Sequence, residues 1–246
     1  MEWFRTQGCV PPVAGVLTAL TLVVPASAQA QNATLGQVLL FHQPGLEQGA
    51  RRPKAPVVPG VKTHLFRADR GNRKGQSIVV WTIDTLQRRR DLPSPVKPGA
   101  PYSEYHLLSP ETVGPLPSVD VLGIHYIKVL PDRRDAFERF VKEKLHPAVA
   151  NLRPDLRVLY YKSVLGPDAG NYIAVFALTR RSRDKYWPGG ADSNDLRLAF
   201  RPVQPLTKEL RTYLVEGSYL ADDKYAAAVY ESRDWVDFVR IAAASR

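Results

Sequence analysis

Beyond Cys9 this chain of 246 residues contains no cysteine. Once a leader carrying Cys9 is removed, disulfides, thiol catalysis, cysteine-ligated zinc and iron–sulfur clusters are all excluded. Cohesion must come from a hydrophobic core, which the remaining length can supply in one or two domains. An apolar run long enough to span a bilayer is also missing. Residues 13–24 are apolar but Pro25 ends the run, and a spanning helix needs ~20 residues. Arg5 precedes this run and Ala26-Ser27-Ala28-Gln29-Ala30 follows it. The pattern is that of a secretory signal peptide over residues 1–30, cleaved near Ala28 or Ala30. A secreted or periplasmic protein with no membrane span after cleavage is expected. Cys9 stands before the apolar run, which argues against a lipid anchor.

Metal-binding patterns are absent as well. There is no His-x3-His, no His-Glu-x-x-His and no cluster of carboxylates, so neither a metal nor a cofactor is assigned. The net charge is +10, yet the basic residues are scattered. The exceptions are Arg88-Arg89-Arg90 and Arg180-Arg181 with Arg183. No helix-turn-helix, zinc-finger or RNA-recognition pattern accompanies them, and no nucleic-acid partner is expected.

What is present is a repeat. Residues 61–93 align without gaps on 156–188, at an offset of 95. Gly71 meets Gly166, Gly75 meets Gly170, Ile78 meets Ile173, Val80 meets Val175, Arg88 meets Arg183 and Pro93 meets Pro188. Each copy is two apolar runs joined by a Gly-x3-Gly turn, which reads as a hairpin. Further upstream, Gly36 and Pro44 match Gly123 and Pro131.

Residues 37–42, 62–68 and 77–84 read as strands. Residues 93–117 are proline-rich and form a connector, with a short edge strand near 104–108. Residues 119–130 are apolar on both alternating faces, as in a strand covered on both sides. An amphipathic helix follows over about 132–151, with Phe137, Phe140, Val141, Leu145, Val149 and Leu152 on one stripe and a kink expected at Pro147. Residues 157–163 and 172–179 make the second hairpin. A helix starting near Ser193, broken by Pro202, leads to a second short helix at Pro205. Strands are predicted over 213–220 and 226–230. A terminal helix capped by Ser232 is predicted with Trp235, Phe238 and Val239 on one side.

This order resembles the dimeric α/β-barrel superfamily, built from ferredoxin-like β-α-β-β-α-β units. Its members include antibiotic-biosynthesis-monooxygenase-like and NIPSNAP-like proteins. The resemblance rests on the strand Gly123-Ile124-His125-Tyr126-Ile127-Lys128-Val129, on Leu130-Pro131-Asp132 with the helix after it, and on the hairpin from Tyr160 to Leu178. It implies an α+β fold in which two ferredoxin-like units pack antiparallel sheets as a pseudo-dimeric barrel. The first unit (31–92) is degenerate, 93–118 connects, and 119–246 is the second unit with an extra strand and helix. The superfamily includes cofactor-independent oxygenases, haem-degrading enzymes and isomerases, so fold alone does not select an activity.

The resemblance also implies a ligand between a sheet and its helices, framed by His125 or Tyr126, Tyr160 or Tyr161, His146 and Trp187. If the protein is an enzyme, the expected roles are His125 as base, Tyr161 as hydrogen-bond donor and Trp187 as pocket wall. Arg201 can pair with an acidic ligand group. The bland alternatives are a core histidine at 125, a helix-end cation at 146 and ordinary aromatic packing at 160 and 161. The expected ligand is a small apolar or aromatic molecule, and a homodimer is compatible with the pattern. The competing readings are an interaction protein with a side-chain-filled barrel, and a haem binder.

Overall fold

Alternation along each strand decides which side chains meet. In β1 (Val38–His42), Leu39 and Phe41 join one apolar cluster while Val38 and Leu40 join another. The computed structural model describes residues 36–42, 59–71, 73–92, 102–108, 120–150, 156–182, 201–216, 218 and 235–240. The other strands are β2 (Val61–Gly71), β3 (Ser77–Ile83), β4 (Tyr102–Leu107), β5 (Val121–Ile127), β6 (Leu156–Leu165), β7 (Tyr172–Leu178) and β8 (Trp235–Arg240). They close into an antiparallel barrel in the order β1-β3-β2-β8-β5-β7-β6-β4. Taken by halves, this is β4-β1-β3-β2 and β8-β5-β7-β6. Each half has the ferredoxin-like order, with its first strand between its fourth and third.

The pairing registers repeat as the sequence does. Val61↔Ile83 and Phe66↔Ile78 in the first hairpin become Leu156↔Leu178 and Tyr161↔Ile173 in the second. The turns match too. Gly75 N–H donates to the Ala68 carbonyl at 2.8 Å, and Gly170 N–H donates to that of Ser163 at 2.8 Å. Both glycines have positive φ, 87° and 84°, which other residues adopt only with strain. The two seams between halves also correspond. At the β2–β8 seam the register slips between Ala68 and Arg70; at the β4–β6 seam the matching slip lies between Glu104 and Tyr105, opposite Leu165 and Ser163.

One sequence equivalence does not hold. Because Leu40 pairs with Trp81 and Gly123 with Phe176, Gly123 corresponds to Leu40 and not to Gly36. The slip is four residues, an even number, so it leaves the facing of every side chain unchanged and alternation cannot detect it.

Inside the barrel, Leu39, Phe41, Phe66, Ile78, Val80 and Tyr105 from the first half meet Leu122, Ile124, Tyr126, Leu159, Tyr161 and Val175 from the second in one cluster. Outside β5–β7 a second cluster joins Val121, Val158, Tyr160, Tyr172 and Phe176 to the helix layer. That layer starts with a 3-10 turn at Pro131–Arg133 and continues as α2 (Arg134–Phe140), a π-helical turn (Val141–Leu145) and α3 (His146–Ala150). An α-helical Pro147 would lack its N–H and crowd the carbonyl four residues back. The ladder widens just before it, with His146 N–H donating to the Val141 carbonyl. Phe137 is fully buried, its ring 4.7 Å from Tyr172.

Several expectations are corrected. Residues 235–240 are not a helix; they form β8, paired with both β2 and β5. Residues 213–216 do not form a strand; Leu214 makes an isolated bridge to Val129, flanked by backbone hydrogen bonds from Leu130 to Tyr213 and from Val215 to Lys128, and the rest of the expected strand at 213–220 lies largely outside the described residues. Strand β4 is not an edge, because it pairs with β1 and β6. Thr85 caps an unexpected short helix, α1 (Leu86–Asp91), by accepting from Arg88 N–H. The basic run is largely consumed within this segment. Arg88 bonds Asp84, and Arg89 bonds Glu104, which also meets His106 at 2.8 Å. Burial alone would raise the pKa of Glu104, but the His106 and Arg89 hydrogen bonds and charges hold it below the usual value. Pro205 does open a helix, α4 (Gln204–Arg211). The helix expected at Ser193 and the strand at 226–230 lie outside the described residues.

Two glycines at hairpin tips separate backbone strain from steric clash. Gly75→Ala adds a Cβ with nothing within 4 Å, so only the φ of +87° is penalised, by about 1 kcal/mol. At Gly166 (φ +102°) a Cβ would lie 2.7 Å from both Ser103 Oγ and the Tyr102 carbonyl, forcing the tip off β4 for about 3 kcal/mol. Urea unfolding midpoints should rank the two in this order; equal shifts would refute a tight tip–β4 contact.

Candidate functional site

The hairpin tips of β2–β3 and β6–β7 meet at one mouth of the barrel, and a cavity of about 340 Å³ opens there. Its walls are Phe41 from β1, Arg73, Gln76 and Ile78 from the first hairpin, Tyr102, Ser103 and Tyr105 from β4, Tyr126 from β5, and Pro167 and Asp168 from the second hairpin. Phe41, Tyr102, Tyr105 and Tyr126 give it four aromatic rings among polar groups; Phe41 and Tyr105 lie 4.9 Å apart in a tilted pair.

Polar groups converge on Tyr126. Arg73 Nη1 donates to the Tyr126 phenol oxygen at 2.8 Å, and the guanidinium carbon lies 4.2 Å from the ring centroid. Hydrogen bonding and cation–π attraction thus hold one cation against one ring. Burial pushes the Tyr126 phenol up to about 12; Arg73 opposes this and Asp168 adds to it. Burial likewise raises Tyr105, with further contributions from Tyr126 and Asp168. Both phenols therefore keep their protons at neutral pH. Since the Tyr126 oxygen accepts from Arg73, its own proton is left to donate. An Arg guanidinium and a phenol O–H side by side in an aromatic cavity can hold a carbonyl, carboxylate or phenolate oxygen.

The residues singled out from sequence divide between the two faces of the sheet. Tyr126 and Tyr161 face the barrel interior, and only Tyr126 lines the cavity. Tyr161 donates its phenol proton to the Gly36 carbonyl at 3.2 Å, tying β6 to the start of β1. His125 and Tyr160 lie on the opposite, helix-covered face; the His125 ring is 5.1 Å from Phe176, a member of the same cluster as Tyr160. His146 is buried at the start of α3, between Leu145 and Val149 of that layer. His125 and Tyr161 are therefore not brought together, and a base and a donor on opposite faces of one sheet cannot serve one ligand. Arg201 is exposed in a 3-10 turn. Trp187 lies outside the described residues. Sequence reasoning missed Arg73, Tyr105 and Asp168. The available signal was the repeat itself, since Arg73 and Asp168 occupy equivalent turn positions 95 residues apart.

Burial pushes His125 down to about 3, so the imidazole is neutral in the folded protein. The unfolded chain takes a proton near pH 6.5 that the folded chain refuses. The contribution to stability is complete above about pH 6.5 and is lost as pH falls toward about 3, by up to ~1.4 kcal/mol per pH unit. Glu104 and Glu138, both held below 4.5, act only at lower pH. Urea titrations from pH 6.5 to 5 should show falling stability, with a flatter slope in His125→Leu; a slope unchanged by that substitution would show that His125 is not the cause.

No protein-family model matches this chain, and no curated protein matches it. Among solved structures, a chain described as "putative monooxygenase from Lactobacillus acidophilus NCFM" aligns over 82% of this chain and 92% of its own length, at 9% identity and a TM-score of 0.44.

Proposed function

We propose that this protein binds a small aromatic molecule at the barrel mouth, with the ligand's carbonyl or acidic oxygen placed between Arg73 and Tyr126. The observation that carries this reading is the Arg73–Tyr126 hydrogen bond inside an aromatic cavity. A volume of about 340 Å³ is at the small end of the range for ligand pockets and suits one or two fused rings. The surrounding rings supply apolar contact, and the polar pair fixes orientation. The same pair would stabilise an enolate or phenolate after loss of a ligand proton. With that proton passed to water at the open mouth, the anion can give one electron to dioxygen and recombine with the superoxide as a peroxide, or take a proton back at another carbon as in an isomerase. In this reading His125, Tyr160 and His146 support the helix–sheet layer. The cavity is lined by neither histidine, so iron ligation by either within it is disfavoured.

We also propose that the two halves descend from one duplicated ferredoxin-like unit, making the barrel a pseudo-dimer within one chain. The matching hairpin registers and the matching slips at the two seams support this. Every described strand already has two neighbours, so a homodimer would have to use surfaces other than strand edges.

Isothermal titration of the mature protein with benzoate, salicylate and 1-naphthol tests the binding reading. Arg73→Met should weaken benzoate by about 10- to 100-fold and Tyr126→Phe by about 5- to 10-fold, the scale of a charged and a neutral hydrogen bond. Oxygen uptake with the phenolic ligands separates turnover from binding alone. Absence of binding by all three would refute the reading in favour of a side-chain-filled barrel, and binding indifferent to both substitutions would refute the Arg73–Tyr126 site.

Export is part of the proposal. Every described residue lies in the unit Gln31–Arg246, downstream of both proposed cleavage points. Protein recovered from the periplasm or culture fluid should begin at Gln29 or Gln31 by N-terminal sequencing. Recovery of intact Met1 in the cytosolic fraction alone would overturn export.

A further inference from the structure

The two hairpin tips bring equivalent backbone positions over one cavity and arm them with opposite charges. Gln76 N–H donates to the Arg73 carbonyl at 3.0 Å, and Asn171 N–H donates to the Asp168 carbonyl at 2.9 Å. The same turn frame thus carries a guanidinium on one tip and a carboxylate on the other, and both side chains line the cavity. They do not pair with each other. Arg73 is engaged by Tyr126. Among the described residues the Asp168 carboxylate forms no salt bridge and accepts no hydrogen bond. Yet it is close enough for its charge to be felt by both Tyr105 and Tyr126. A single turn aspartate is usually a solvated turn former. An aspartate and an arginine that line one cavity without a salt bridge between them leave two complementary anchors for one ligand.

We propose that the ligand is dipolar: an aromatic ring with a carboxylate or phenolate oxygen at the Arg73–Tyr126 end and a cationic nitrogen at the Asp168 end. This rests on the binding reading above and narrows it to a substrate class. A single aromatic acid satisfies one anchor and leaves Asp168 to repel its charge. A single amine satisfies Asp168 and meets Arg73 with like charge. Only a molecule bearing both groups satisfies both tips, and it is held in one orientation. In a barrel with identical tips no such orientation would be imposed, so the charge difference between positions 73 and 168 is itself the selecting feature.

Titration of the mature protein with benzoate, benzylammonium, and 3- and 4-(aminomethyl)benzoate tests this, because the last two are zwitterions at neutral pH. At least one zwitterion should bind ten-fold or more tightly than either singly charged probe. Asp168→Asn should remove that advantage, bringing zwitterion and benzoate within about two-fold of one another, and Arg73→Met should weaken both acids. Equal affinity for benzoate and the zwitterions in the wild-type protein, or an advantage that survives Asp168→Asn, overturns the dipolar class while leaving the cavity as an acid-binding site. Failure of every probe to bind the wild-type protein removes the binding reading and this inference together.

Discussion

Closure of the sheet is the constraint from which the remaining structure follows. Each half alone would be a four-stranded antiparallel sheet with two exposed edges, and exposed edges carry unpaired backbone donors and acceptors. Pairing β2 with β8 and β4 with β6 removes all four edges at once. It also wraps the inner faces around one shared apolar cluster that neither half could bury alone. The slips at Ala68/Arg70 and Glu104/Tyr105 fall on these seams, where bulges add the bending that curls a sheet.

Closure places chemistry on two sides of a wall. Residues adjacent in sequence, His125 and Tyr126, are separated by the sheet. One packs against Phe176 beneath the helices; the other meets Arg73 at the barrel mouth. Burial acts on both but leaves different chemistry. His125 becomes a neutral core imidazole. Tyr126 remains a protonated phenol at a cavity, paired with a cation from the other half of the chain.

The second half was more legible than the first, for a physical reason. Residues 121–127 are apolar on both faces because both are buried, and the helical stripe through Phe137, Phe140, Val141 and Leu145 faces one cluster. Periodicity records such burial directly. Spaced aromatics in Trp235–Arg240 suit both the helical and the strand period in so short a stretch; ladder pairing to β2 and β5 decides for the strand. The proline-rich sequence around β4 hides its place between β1 and β6. The site was less legible still, since Arg73 and Tyr126 stand 53 residues apart and no local pattern joins them.

Local backbone geometry and burial periodicity are written into the residues themselves, so the two hairpins, their glycine turns and the alternation that gives each strand two faces are legible there. Tertiary structure alone decided which tips meet, which face becomes the barrel interior, and that position 73 of one turn and position 168 of the other share a cavity. Those outcomes depend on how the sheet closes, and closure is set by pairing between strands far apart in the chain, which no local run of residues encodes.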